Sequence, residues 1–171
     1  KILILFGFLA LFIKIKSLIF IIERLALNKN FDINIVLLNE NAKLPSKQHE
    51  LDIGYDIYSS HEYELLPKKV TFIETGISIQ LPAGCGGFIL PRSGLASKNS
   101  ITSINSPGLI DPGYTGEIKV PLINHSDEVY NMKTNERFAQ LVLINVNNVN
   151  FKIVEKLDES IRSDKGFGST G

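Results

Sequence analysis

From Phe31 onward, no apolar run in this chain goes far before Gly, Pro, Asn or Asp interrupts it. The runs "INIVLL", "GYDIYS", "KVTFIE", "GISIQL", "GFILP", "GEIKVPLIN" and "RFAQLVLINV" are of strand length and rich in β-branched and aromatic residues. A helix would need apolar residues recurring every three or four positions, and past the N-terminus that period never persists. The pattern predicts an all-β domain, a sandwich or distorted barrel, with one short helical turn over "SGLASKN" after Arg92. A chain of 171 residues is long enough for one such domain with a real core.

Residues 1–30 are a different material. They carry Lys1, Lys14, Lys16, Arg24 and Lys29 against the single acid Glu23, while the whole chain has a formal net charge of +0. Ile2 to Ile13 is an apolar run too short to span a bilayer, and Lys14 and Lys16 interrupt its extension. It has a basic start but no small-residue cleavage site, and it lacks the Arg and Ser bias of a transit peptide. We expect an N-terminal extension over 1–30 (precursor, anchor, upstream sequence or buried helix), a β domain over 31–158 and a glycine-rich C-terminal arm over 159–171. Placement in the cytoplasm or nucleus is the expectation for the β domain. Membrane contact or organelle targeting would depend on the extension alone.

The balanced charge gives no basic face for nucleic acid, so none is expected as a partner. Cys85 is the only cysteine, which excludes a disulfide within the chain. His49, His61 and His125 are scattered without metal-ligand spacing. A metal here would be a hard ion held by oxygens, mostly those of a ligand.

Several short stretches could carry chemistry. "GLIDPGYTGEI" (Gly108 to Ile118) places one acid, Asp111, before a Pro-Gly turn, with Tyr114 three residues later. It reads either as a plain hairpin, with Pro112 and Gly113 making the turn, or as a pocket mouth walled by backbone. "PRSGLA" (Pro91 to Ala96) reads as a phosphate seat or as an Arg-Ser turn with an N-cap. "PAGCGGF" lacks the Lys-Ser/Thr of a phosphate loop and reads as a connecting turn. In "GYDIYS", Asp56 lies between aromatics, where a carboxylate is either paired with an Arg or near a metal. "ERFAQLVL" puts Arg137 and Gln140 at the head of an apolar strand. The last residues, "RSDKGFGSTG", have the composition of a mobile tail, yet offer a stacking ring and hydroxyls.

Each stretch is weak alone; their order is not. "GYDIYS", "PRSGLA", "NSPGLIDPGYTGEI", "ERFAQLVL" and "RSDKGFGSTG" resemble the five ordered motifs of the trimeric deoxyuridine triphosphate diphosphatase (dUTPase) family. The resemblance runs from about Phe31 to Gly171. It implies a distorted jelly-roll or β-clip barrel with a flexible C-terminal arm. It also implies hydrolysis of dUTP to dUMP and pyrophosphate, which keeps uracil out of DNA and supplies dUMP for dTMP synthesis.

By the same resemblance, Asp111 would be the general base that activates a water against the α-phosphate. Tyr114 would pack under the deoxyribose. Main chain around Gly108, Leu109, Ile110 and Lys119, with the Asn105 side chain, would read uracil. Arg92, Ser93, Gly94 and Gln140 would face the phosphates, and Asp56 would be structural or would reach a metal through water. Mg²⁺ would be bound mainly by the substrate triphosphate, with no direct protein ligand. From the arm, Arg162 would reach the γ-phosphate, Phe167 would cover uracil, and Gly168, Ser169 and Thr170 would lie along the phosphates. The family also implies a homotrimer whose sites are shared between subunits.

The chain departs from the family pattern in places. Thr115 stands where the third motif usually has Arg, and Ser163 and Lys165 replace glycines of the arm. "KTNER" replaces the commoner Lys-x-Gly-Asp-Arg turn, where Asn135 can still adopt positive φ. Two rival readings remain. A dCTP deaminase would also carry "IDPG", but its chemistry needs a Glu at the place of Pro121 and it lacks the GFGSTG arm. A non-catalytic nucleotide-binding module would be expected to have lost Asp111, Tyr114 or the arm.

Overall fold

The computed structural model describes residues 14–17 and 32–160. Its strands are β1 (Asn34–Leu37), β2 (Tyr55–Tyr58), β3 (Tyr63–Leu65), β4 (Val70–Gln80), β5 (Cys85–Pro91), β6 (Ile101–Ser103), β7 (Gly108–Ile110), β8 (Glu117–Asn124), β9 (Tyr130–Met132) and β10 (Arg137–Asn145). A short helix, α1 (Ser93–Asn99), follows β5, and residues 14–17 are also helical. Two antiparallel four-stranded sheets have the orders β1-β4-β8-β6 and β2-β10-β5-β7, and β3 pairs with β9 as a separate ribbon. Ile73, Ile118 and Leu122 of the first sheet and Ile57, Ile89 and Phe138 of the second share one core. The fold is all-β and jelly-roll-like, with a short helix where "SGLASKN" predicts it.

β8 shows how the sequence sets the layers. Ile118, Val120, Leu122 and Asn124 point inward at a period of two, while Glu117, Lys119, Pro121 and Ile123 alternate with them. The strand lies between β4 and β6, yet it contains a proline, which cannot donate to a ladder. The Pro121 carbonyl accepts from Ile104 N–H, so its nitrogen faces the β6 side. There the ladder ends at Ser103 opposite Leu122, so the missing donor falls where pairing stops.

Besides "PAGCGGF", whose residues 85–88 open β5 instead of forming a connecting turn, two expectations need correction. "KVTFIE" and "GISIQL" belong to one strand and are not two separate runs. The register of β4 against β8 shifts between Glu74 and Ser78, which makes Thr75–Ile77 a bulge. Gly76 takes φ +68 there, and a Cβ on it would sit 2.7 Å from Asn39 Nδ2 and 2.8 Å from Ala42 Cβ. The glycine bends the strand and does not end it.

The second correction concerns the Pro-Gly turn, whose flanking strands do not pair as a hairpin. Tyr114 N–H does bond the Asp111 carbonyl at 3.0 Å, closing a β-turn. But β7 pairs with β5 in one sheet, while β8 belongs to the other. Both edges of β8 are already taken by β4 and β6, so β7 finds its partner on the open edge of β5. The turn therefore crosses from sheet to sheet, and the space between the diverging strands becomes a cleft.

Candidate active site

That cleft holds about 220 Å³ and is lined by Asn105, Gly108, Leu109, Ile110, Asp111, Tyr114 and Lys119, together with Ile89, Ile118, Val120 and Pro121. Alternation along β7 buries Gly108 and Ile110 and leaves Leu109 exposed between them. Asp111 is exposed at the head of the turn, and its carboxylate has no hydrogen bond or ion pair among the described residues. Among the described residues it is the only acid lining the cleft. The Tyr114 ring is 45% exposed, and its hydroxyl donates to the Glu117 carbonyl at 2.7 Å. The structure thus brings together every cleft residue singled out in the third motif, with Asn105 beside them.

Lys119 does more than supply backbone. Its ammonium lies 2.5 Å from Glu74 Oε1 and 3.3 Å from Glu117 Oε2. The hydrogen bonds that Lys119 donates to Glu74 and then to Glu117 raise it above its ordinary value, and the first of these bonds holds Glu74 below the usual carboxylate range. His61 Nε2 approaches the other oxygen of Glu74 at 3.6 Å. Neither Glu74 nor Glu117 was among the residues expected at the site. The signal existed for Glu117: in "GEIKV", Glu117 and Lys119 are two apart on a strand and share a face.

The remaining candidates form a second cluster, around Asp56. This carboxylate is 2% exposed on β2, and of its two sequence readings the structure shows pairing with arginine. Oδ1 lies 3.0 Å from Arg92 Nε, Oδ2 lies 3.2 Å from Arg137 Nη1, and Gln140 Nε2 donates to Oδ1 at 3.3 Å. Arg92 Nη1 also donates to the Arg137 carbonyl at 3.2 Å. The register explains the meeting, because Gln140 stands opposite Asp56 across the β2–β10 pair and opposite Leu90 on β5.

Arg92 is the residue before α1 and takes extended backbone; no side chain caps that helix. Ser93 and Gly94 are exposed on its first turn, and Leu95 anchors the turn in the core. Arg92, Ser93, Gly94 and Gln140 do not line the cleft within one chain. Asn135 has φ +64, as the "KTNER" turn requires, and its N–H bonds the Ser59 carbonyl at 2.8 Å. Beside it, burial and a hydrogen bond to Glu136 push Tyr130 up to about 12. Arg162, Phe167, Gly168, Ser169 and Thr170 lie outside the described residues.

Fold and site together define a class: an all-β protein whose acid-bearing turn closes a small cleft walled by main chain, with a paired-arginine cluster outside it. Comparison with known proteins makes the class specific. The dUTPase family model matches residues 40–171, and the chain belongs to that family. It is 45% identical over 141 residues to the deoxyuridine 5'-triphosphate nucleotidohydrolase of Clostridium tetani, covering 82% of this chain and 97% of that protein. It is 43% identical over 139 residues to the enzyme of the same name from Picosynechococcus sp., covering 81% and 98%. Among solved structures, it resembles a mutant dUTPase of Staphylococcus bacteriophage 80alpha with dUpNHpp, with TM-score 0.77 and 29% identity over 83% of this chain and 99% of that one. A mutant dUTPase of phage phi11 of S. aureus, described with a structural Mg(II) ion, matches with TM-score 0.68 and 27% identity over 74% and 98%.

Proposed function

We propose that this chain hydrolyses dUTP to dUMP and pyrophosphate, with Asp111 as the general base. One observation carries the assignment of the base: among the described residues the cleft has a single carboxylate, and that carboxylate has no partner among them. In the proposed step Asp111 orients a water and takes its proton as the oxygen attacks the α-phosphorus. The bond from that phosphorus to the bridging oxygen breaks, and pyrophosphate leaves with the electron pair. A carboxylate is a weak base, so its contribution is mainly geometric. The main chain of Gly108–Ile110, on the edge strand of its sheet, and the Asn105 amide supply donors and acceptors suited to a uracil edge. Tyr114 stands where it can wall the sugar.

Arg92 fits the phosphate side. Two of its guanidinium nitrogens are held by Asp56 and the Arg137 carbonyl, which fixes the orientation of the fork. That these residues and Gln140 do not line the cleft of their own chain supports a homotrimer in which each site draws on more than one copy. Among the described residues no group of three or more His, Cys, Asp or Glu is arranged to hold a metal. A Mg²⁺ held by oxygens of the triphosphate and water would supply charge neutralisation on the phosphates. The arm, with Arg162, Phe167, Gly168, Ser169 and Thr170, is proposed to close over bound nucleotide and exclude water.

The deaminase rival fares worse on the structure. Pro121 lines the cleft, so the position that chemistry would need for an acid is present and carries none. Incubating the purified chain with dUTP, dCTP, dTTP or UTP plus Mg²⁺, and assaying pyrophosphate and ammonia, tests the reading. Pyrophosphate from dUTP alone is expected. Ammonia from dCTP would overturn it in favour of the deaminase, and binding without turnover would favour the non-catalytic module.

A further inference from the structure

The ring of Tyr114 is exposed and sits on a turn, so packing alone does not fix it. Two features do. Its hydroxyl donates to the Glu117 carbonyl at 2.7 Å, and its ring lies against Gly116, where an added Cβ would come 2.8 Å from Oη and 2.9 Å from Cζ. Gly116 does not have the left-handed φ that marks Gly76, so the space for the ring, and not the backbone, calls for glycine there.

Glu117 is itself tied down through its side chain. Oε1 accepts the Gly76 N–H at 2.9 Å, a donor that the β4 bulge takes out of the ladder, and Oε2 faces Lys119 Nζ at 3.3 Å. Neighbouring bonds run the same way. Thr75 Oγ1 donates to the Ile118 carbonyl at 2.7 Å, and Ser78 Oγ donates to the Thr115 carbonyl. The bulge therefore presents a row of donors to the chain on either side of Glu117.

We propose that Glu117 is a positioning residue: its carboxylate moors the segment after the turn to the β4 bulge, and its carbonyl thereby sets where the Tyr114 ring stands against the sugar. The proposal rests on the dUTP reading for its substrate and on the bulge geometry for its mechanics. Its consequence is selectivity between deoxyribose and ribose nucleotides, because a ring that can swing aside leaves room for a 2′-hydroxyl.

Three variants of the full chain test it, each with two readouts. The first readout is the ratio of kcat/KM for dUTP over UTP. The second needs no turnover: amide exchange at Gly76 and the ring resonance of Tyr114 by NMR. Glu117→Ala should lower the ratio about fivefold to tenfold, the factor of one lost hydrogen bond, expose the Gly76 amide and shift the Tyr114 ring. Glu117→Gln should restore most of the ratio, since its amide oxygen still accepts the Gly76 N–H. Gly116→Ala should move the ring and lower the ratio with Gly76 still protected, and this variant keeps the test alive if Glu117→Ala fails to fold. A wild-type ratio and an unshifted Tyr114 resonance in Glu117→Ala would overturn the proposal, as would failure of Gln to restore them. If wild type does not hydrolyse dUTP, the functional reading falls, and the exchange and ring signals still decide whether Glu117 moors the bulge.

Discussion

Asp56 and Asp111 are both carboxylates in short polar interruptions of β-rich sequence, and the fold treats them in opposite ways. Asp56 is buried and saturated: two arginines, a glutamine amide and the β2–β10 ladder all converge on it. Asp111 is exposed and engages none of the described residues through its side chain. A buried charge must be paired to exist, so Asp56 spends its bonding capacity on holding Arg92 and Arg137 in place. An acid with open lone pairs at a cleft is available to a water. The contrast separates a residue that builds the site from one that can react in it.

The sharpest way to break this contrast is Asp111→Asn. The amide is nearly isosteric but cannot take a proton, and loss of a general base costs ~10²–10⁴ in rate. We expect turnover of dUTP to fall by that factor while a non-hydrolysable dUTP analogue still binds and the melting temperature holds. Near-normal kcat would remove Asp111 from its role.

Asp56→Asn should behave in the reverse manner, with the damage appearing in stability before substrate is added. Removing one partner of a buried pair costs about 3–5 kcal/mol, and here the low end applies because Arg92 and Arg137 side chains keep 28% and 38% exposure. Urea unfolding of the free protein measures it. A variant as stable as wild type would mean that the arginines find water instead, and that Asp56 is not a structural node. Gln140→Ala removes only the 3.3 Å bond to Asp56, and about 1 kcal/mol of destabilisation is expected by the same measurement. A loss as large as that of Asp56→Asn would show that Gln140, and not the arginines, holds the carboxylate.

Why was Asp111 easier to read in the sequence than the surroundings of Asp56? The turn is local: Asp, Pro, Gly and Tyr in consecutive reach define a bend and a free acid within a few residues. The long runs that became β8 and β10 were legible for the same reason, because strand patterning is written inside one segment, whereas Gly86 and Gly87 disguised the start of β5 as a turn. Asp56 meets Arg137 only through pairing of strands far apart in the chain, and sequence alone leaves Arg-pairing and metal proximity equally open. The three-residue strands β3, β6, β7 and β9 are too short to show a period. β4 read as two runs because the glycine that opens "GISIQL" permits both a turn and a bulge; the closeness of Asn39 and Ala42 to Gly76 decides which. The crossing of β7 away from β8 depends on which strand edges are already occupied, which no local pattern records.

Glu74 is a third acid, intermediate between the other two, and the smallest effect tests whether the contrast is continuous. It is paired with Lys119 like Asp56 with its arginines, but both side chains stay partly exposed, at 36% and 45%. The bond from Lys119 lowers the Glu74 value below 4.5, so its stabilisation is complete above that pH and is lost as pH falls through the folded value. On the alkaline side Lys119 is raised above 10.5, so the same contribution persists below that pH and disappears as pH rises through the raised value. Glu74→Gln should therefore lower the urea midpoint slightly at neutral pH, with the difference from wild type closing under acid conditions. Because the pair faces solvent, about 1 M salt should shrink the difference at neutral pH as well. A gap that stays constant from neutral to acid pH would mean the loss comes from packing at the bulge and not from charge. In that case Glu74 would belong with Asp56 as a builder of the fold, and Lys119 would owe its place beside the cleft to Glu117 alone.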